Sequence, residues 1–394
     1  KAQVAKICES IREFGFVNPV LLDENLEIIA GHGRVAAAQD MGMAEVPAII
    51  LSHLTDTQKR AYRIADNKLT ELGKWSIELL NLELSELSNL DLDFNLEITG
   101  FETAEIDPIL DGDGANDPKA DAVPALTDED KRCHRGDIWK LGRHTIVCGD
   151  SLMAESYAAI MGDERAQMVL TDAPYNVKIK SIGSMGKIKH DEFAMASGEM
   201  TPAEFTGFLT TFMRHAKKYS VNGALHYLFM DWKHVGEIST AGATVYDDVK
   251  NICVWNKTNG GMGSLYRSKH ELCFVYKSGT APHINNIELG AHGRYRTNVW
   301  DYAGANAFGA GKDDLKLHPT VKPVAMLRDA ILDVTRRGDI VLDCFLGSGS
   351  TLIACEQTGR VCRGIGLEEK YCDVIIKRFE TLTGTKAEKI GEIK

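Results

Sequence analysis

Asp172-Ala173-Pro174-Tyr175 sets a carboxylate, a backbone carbonyl and an aromatic face within four residues. They follow the apolar run 168–171, and Pro174 stiffens the turn. This trio suits a base turned out of its stack: Tyr175 to lie against it, Asp172 and the Ala173 carbonyl to accept from its exocyclic amine. Acceptors on that amine draw its lone pair out of ring conjugation as an electrophile approaches. An ordinary strand-end turn is the plainer reading of the same residues.

A second motif ends another apolar run. Residues 339–342 lead into Asp343, and Asp343-x-Phe345-x-Gly347-x-Gly349 opens the helix-prone stretch beginning Ser350-Thr351. Strand, tight turn and helix N-terminus, in that order, are the setting in which a nucleotide-type cofactor meets the backbone. Glycine at 347 and 349 permits positive φ and close approach. A strand–helix turn without a ligand is the other reading. A dinucleotide site would carry an acid about 20 residues on, at the end of the next strand. That strand, 361–365, is followed by Gly366, with Glu368 and Glu369 just beyond.

These motifs need a scaffold, and 394 residues suffice for two or three domains with sizeable cores. No apolar run reaches the roughly 18 residues of a membrane helix. The chain opens Lys1-Ala2-Gln3-Val4, without a signal-peptide pattern or an initiator Met, which reads as a trimmed start. Its nine cysteines are dispersed with no CxxC pair, which argues against a disulfide framework and a zinc site and fits a reducing cytosol. Net charge is −11, yet residues 101–130 hold ten acids against Lys119 alone. The acidity therefore belongs mostly to one segment and leaves room for a DNA-binding face elsewhere.

Helical spacing of Val4, Ile7, Cys8, Ile11 and Phe14 predicts a first helix. Short strands are predicted at 19–23, 26–30 and 46–51, with the turn Gly31-His32-Gly33-Arg34 leading into a helix over 35–41. Thr55-Asp56-Thr57-Gln58 is a capping box that opens another helix. This makes an α+β domain over 1–100. The acidic stretch 101–132 reads as a linker. Over 133–394, strands at 146–148, 168–171, 225–230, 249–255 and 271–276 alternate with helices, the pattern of an α/β domain with a mostly parallel sheet. Thr201-Pro202-Ala203-Glu204 starts one of those helices and Pro323 another.

In their order along 136 to about 383, these motifs resemble the beta class of DNA amino-methyltransferases, which methylate adenine N6 or cytosine N4 with S-adenosylmethionine. The resemblance implies a Rossmann-like α/β methyltransferase domain in permuted motif order. It implies Asp172, Ala173, Pro174 and Tyr175 as catalytic residues and Asp343, Phe345, Gly347, Gly349, Ser350 and Thr351 as cofactor-binding. His318-Pro319-Thr320-Val321-Lys322-Pro323 resembles the segment whose Thr and Lys, here Thr320 and Lys322, line the methionine end of the cofactor. Cys148-Gly149-Asp150-Ser151 resembles the segment whose acid, Asp150, helps place the adenine moiety. Val254-Trp255-Asn256-Lys257 and 266–271 match in kind. Double-stranded DNA with a flipped target base is the implied partner, in a bacterial or phage-associated cytoplasm, and a homodimer is allowed. Residues 17–34 resemble a ParB-like domain, often fused to such enzymes, as a DNA-binding or docking accessory. Its single Arg34, where the family has two arginines, argues against nucleotide binding there.

Two departures stand out. Ala173 replaces the family's first Pro, and Gly366 replaces its ribose-binding acid, a role Glu368 is expected to take over. By the family resemblance, Asp rather than Ser at 172 implies adenine N6. Cytosine N4, or an impaired DNA-binding protein that keeps the fold, is the alternative. No Pro-Cys motif is present for cytosine-C5 chemistry. A nicotinamide oxidoreductase would leave the Asp172 turn unexplained. For DNA phosphates the candidates are Lys178, Lys180, Lys187 and Lys189, then Tyr266, Arg267 and Lys269.

Overall fold

The computed structural model describes residues 2–72, 75–90, 95–111, 120–177, 196, 198–258, 260, 265–290, 294–304 and 321–393. The chain divides into two units, Lys1–Leu110 and Asp111–Lys394.

In the first unit, helix α1 (Ala2–Phe14) precedes strands β1 (Val20–Leu22) and β2 (Ile28–Ala30), helix α2 (His32–Asp40) and strand β3 (Ala48–Ile50). The strands form a sheet in the order β2-β1-β3. The expected turn at Gly31 is shorter than its sequence suggests: Gly31, at φ 102°, caps a helix that already begins at His32. Helix α3 (Asp56–Leu72) starts at the Thr55 box, where Thr55 N donates to Gln58 Oε1 and Gln58 N to Thr55 Oγ1.

The linker reading of 101–132 needs correction over its first part, where residues 103–111 are helical. Helices α4 (Ile77–Asn89) and α5 (Thr103–Asp111) close the first unit, and Ile106 is buried with Leu80, Leu84 and Leu96. Apolar burial overrides the acidity and Pro108 that suggested loop.

The second unit is built on one ten-stranded sheet. Its strands are β4 (Asp137–Leu141), β5 (His144–Cys148), β6 (Ala166–Asp172), β7 (Ser220–Met230), β8 (Asp248–Asn256), β9 (His270–Lys277), β10 (Val299–Asp301), β11 (Ile340–Asp343), β12 (Val361–Gly366) and β13 (Glu388–Glu392). The order is β10-β8-β9-β7-β6-β11-β12-β5-β4-β13. The middle five, β7, β6, β11, β12 and β5, run parallel. Helix α6 (Ala154–Met161) follows β5, and α7 (Pro202–Lys218) and α8 (Val235–Val245) flank β7. Helices α9 (Val324–Val334), α10 (Ser350–Thr358) and α11 (Glu369–Thr383) complete the unit.

Local sequence explains these choices. Helix α7 buries Phe205, Phe208, Leu209, Phe212, Met213 and Ala216, a stripe of helical period. Thr201 and Glu204 cap its start reciprocally, and His215, Lys217 and Lys218 oppose the dipole at its end. Strands β6 and β11 are almost wholly buried, as central parallel strands covered on both faces must be.

Connections out of β6 lead to β7 on one side, and those out of β11 lead to β12 on the other. The boundary between β6 and β11 is therefore the topological switch point, where a crevice opens at the strands' carboxyl ends. Among the described residues, no helix is long and apolar enough to cross a membrane.

Candidate active site

Both sequence motifs meet at this switch point. Asp172 closes β6 and Asp343 closes β11. The Thr171 hydroxyl donates to Asp343 Oδ1 at 2.7 Å, and Phe345 N lies 3.1 Å from Thr171 Oγ1 and 3.0 Å from Asp343 Oδ1. Gly347 and Gly349 take φ of 53° and 85°. A Cβ on Gly349 would also press on Ile375 at 3.0 Å. Glycine is thus required for both conformation and space as α10 begins.

Around these residues lies a cavity of about 170 Å³, whose wall includes Asp172, Ala173, Pro174 and Tyr175. Lys322, Asp343, Phe345, Gly347, Ser350, Thr351 and Glu368 line it as well. Asp150 does not line it. Its carboxylate accepts from Leu152 N at 2.9 Å, while its neighbours Gly149 and Ser151 face the cavity. Ser151 Oγ is buried there with no hydrogen-bond partner among the described residues.

One lysine serves two carboxylates beside the cavity. Lys322 Nζ is 2.6 Å from Asp172 Oδ2 and 3.0 Å from Glu271 Oε2. The Tyr175 hydroxyl donates to Asp172 Oδ1 at 2.5 Å and lies 3.2 Å from Glu271 Oε2. Lys257 pairs with the other oxygen of Glu271. Burial pushes Glu271 up, but the charges of Lys322 and Lys257 outweigh it and hold its carboxyl at about 2. Burial also pushes Asp172 up; Lys322 opposes this and the Glu271 charge adds to it, leaving Asp172 raised. Among the described residues no cation pairs with Asp343, and burial drives it to about 6 against hydrogen bonds from Thr171, Thr351 and Phe345 N.

Glu271 and Lys257 were within reach of sequence reasoning, since both lie in segments that match the family in kind. They become site residues only through the antiparallel β8–β9 pair, which sets Trp255 opposite Glu271. Tyr266, Arg267 and Lys269 are exposed just before β9, on the same sheet edge as the cavity but outside its wall. Lys178, Lys180, Lys187, Lys189 and Thr320 lie outside the described residues.

Several known proteins are similar to parts of this chain. The type II methyltransferase M.HinfI of Haemophilus influenzae is 24% identical over 258 residues, 61% of this chain and 69% of that protein. The ParB-like nuclease domain-containing protein YnaK of Escherichia coli strain K12 is 62% identical over 58 residues, 15% of this chain and 67% of that protein. A solved structure of PvuII DNA methyltransferase (cytosine-N4-specific) is 13% identical, with a TM-score of 0.46 over 63% of this chain and 97% of that one. Residues 1–68 match the ParB N-terminal domain and 78–133 the ParB-methyltransferase HTH domain. Residues 166–378, more than half of the chain, match the model of the N6/N4 DNA methylases, and to that DNA methylase family the chain belongs.

Proposed function

We propose that this chain transfers a methyl group from S-adenosylmethionine to the exocyclic N6 of adenine in double-stranded DNA. The observation that carries the reading is the Thr171–Asp343 hydrogen bond, which locks the amine-accepting turn beside the glycine loop. The cavity suits this cofactor. Ser151 offers a buried hydroxyl in need of a partner, and Asp343 offers a buried carboxylate in need of a cation. Bound S-adenosylmethionine supplies the electrophilic methyl group.

The chain's own residues do the rest. Asp172 and the Ala173 carbonyl accept from the target amine, and Tyr175 stacks on the base once its hydroxyl releases Asp172. Methylated amine must shed a proton, and the raised pKa of Asp172 makes it the better base for it. Holding the reactants in line supplies much of the rate. Asp rather than Ser at 172 favours adenine by family resemblance. Mass spectrometry of nucleosides from DNA incubated with the protein and cofactor is expected to find N6-methyladenine; N4-methylcytosine, or no methylated base, would overturn the reading.

Asp343 sets a pH-dependent cost on the cofactor-free protein. Its pKa rises from 3.8 to about 6, so it penalises folding fully above pH 6 and not at all well below 3.8. The penalty is about 3 kcal/mol at pH 8 and roughly half that at pH 5. Asp343→Asn is therefore expected to raise stability by about 1–3 kcal/mol at pH 8, with a smaller gain at pH 5, while weakening cofactor binding. Urea unfolding at both pH values and calorimetric titration check this.

Gly366 has a local cause. A Cβ there would lie 2.8 Å from Cys372 Sγ, so the thiol fills the space that a side chain would need. Gly366→Glu is expected to cost about 1–3 kcal/mol by overpacking, relieved by Cys372→Ala. Relative to Cys372→Ala alone, the double variant should bind cofactor about 10–150-fold more tightly by restoring a charge-assisted bond to the ribose.

A further inference from the structure

Three cysteines far apart in sequence converge behind the cavity wall. Cys133 precedes β4, Cys148 ends β5, and Cys372 lies in the first turn of α11. Their sulfurs all lie within 4.8 Å of one another. Each is buried, at 3%, 0% and 0% exposure respectively.

We propose that Cys133, Cys148 and Cys372 form a trithiolate site for a thiophilic d10 cation, Zn²⁺ or Cu⁺. Thiolates select such ions over harder ones. Zn–S bonds of about 2.3 Å at tetrahedral angles put sulfurs about 3.8 Å apart, so the cluster closes on an ion by about an ångström or less. Among the described residues the group holds no fourth His, Cys, Asp or Glu. A tetrahedral ion would take a backbone carbonyl or water as its fourth ligand. The carbonyls of Gly366 and Leu367 lie 3.8 Å from Cys372 Sγ and 3.9 Å from Cys148 Sγ. A three-coordinate Cu⁺ would need none.

Such an ion would act as a clamp. Gly149 and Ser151 lie within three residues after Cys148, and Glu368 and Tyr371 within four before Cys372; all four line the cavity. Gly149 N already donates to Gly366 O at 2.8 Å, which joins the ends of β5 and β12. An ion at the three sulfurs adds the start of α11 and the segment before β4 to that junction. The site stands apart from the reaction and is tested without it.

The full chain, purified reduced and without oxygen, is equilibrated separately with Zn²⁺ and with Cu⁺, then passed through gel filtration and assayed by elemental mass spectrometry. One equivalent of one ion per chain is the expected result, lost in Cys148→Ser and Cys372→Ser. Because a serine variant that misfolds would also lose metal, ¹¹³Cd NMR of the wild-type protein decides, with a shift typical of sulfur ligation expected. Retention of neither ion, retention unchanged in both serine variants, or a cadmium shift typical of oxygen and nitrogen ligands would overturn the proposal.

Discussion

Lys322→Met is expected to destabilise the second unit by about 3–5 kcal/mol, the usual cost of removing one partner from a buried ion pair. The lysine is 5% exposed and is the shared counter-charge of Asp172 and Glu271. Its ammonium also sits 5.0 Å from the Phe229 ring centre, 5.5 Å from Tyr175 and 5.7 Å from Trp255. Methionine keeps an apolar stem and removes the ammonium with its charge and its hydrogen bonds to Asp172 and Tyr175, so the loss measures those polar interactions together. Asp172 and Glu271 would then share a poorly solvated space, with Lys257 left to neutralise Glu271. The pH dependence follows from Glu271, held at about 2 although burial pushes it up. A depressed carboxyl adds stability above its unfolded pKa of 4.5 and loses it as pH falls toward 2. In Lys322→Met this acid-sensitive contribution should shrink. Adding Glu271→Gln removes the second charge, so the double variant should regain part of the stability without regaining activity. Urea unfolding of the single and double variants, at pH 4 and pH 7, checks the result.

The sequence made the ends of β6 and β11 legible because each is an apolar run stopped by an acid. It made α7 legible because Thr201, Pro202 and Glu204 specify a start before a stripe of helical period begins. It hid what depends on partners distant along the chain. Lys322 and Asp172 are 150 residues apart, and no local spacing joins either to Glu271. The cysteine cluster escaped for the same reason: metal-ligand patterns are read from short spacings, whereas this one is assembled from two strand-side segments and a helix. Edge strand β13, Glu-Lys-Ile-Gly-Glu, carries no apolar alternation. It is held by antiparallel pairing with β4 and by the 2.7 Å Lys389–Asp137 ion pair. The short helix α5 was hidden by its own composition, since Pro108 and three acids speak for a loop until Ile106 finds its buried neighbours.

Asp172→Ala should lower kcat by about 10²–10⁴-fold if the carboxylate is both the amine's acceptor and the proton's destination. The fold should survive, because Lys322 keeps Glu271 at 3.0 Å as its partner. Cofactor affinity should change little by comparison, since Asp343 and the glycine loop are untouched. Asp172→Asn keeps one acceptor oxygen but loses the charge, so its activity should fall between those of wild type and alanine. Tyr175 separates stacking from hydrogen bonding. Tyr175→Phe removes the hydroxyl that bonds Asp172 and retains the ring, so a loss of less than about tenfold is expected. Tyr175→Ala removes the ring and should weaken DNA binding by about 1–3 kcal/mol, the worth of one base stacked on an aromatic face. Single-turnover methylation with labelled cofactor, with DNA affinity measured in parallel, resolves the four variants. Equal losses for phenylalanine and alanine at 175 would mean that the hydroxyl's bond to Asp172 is the working contact and that the ring does not carry the base.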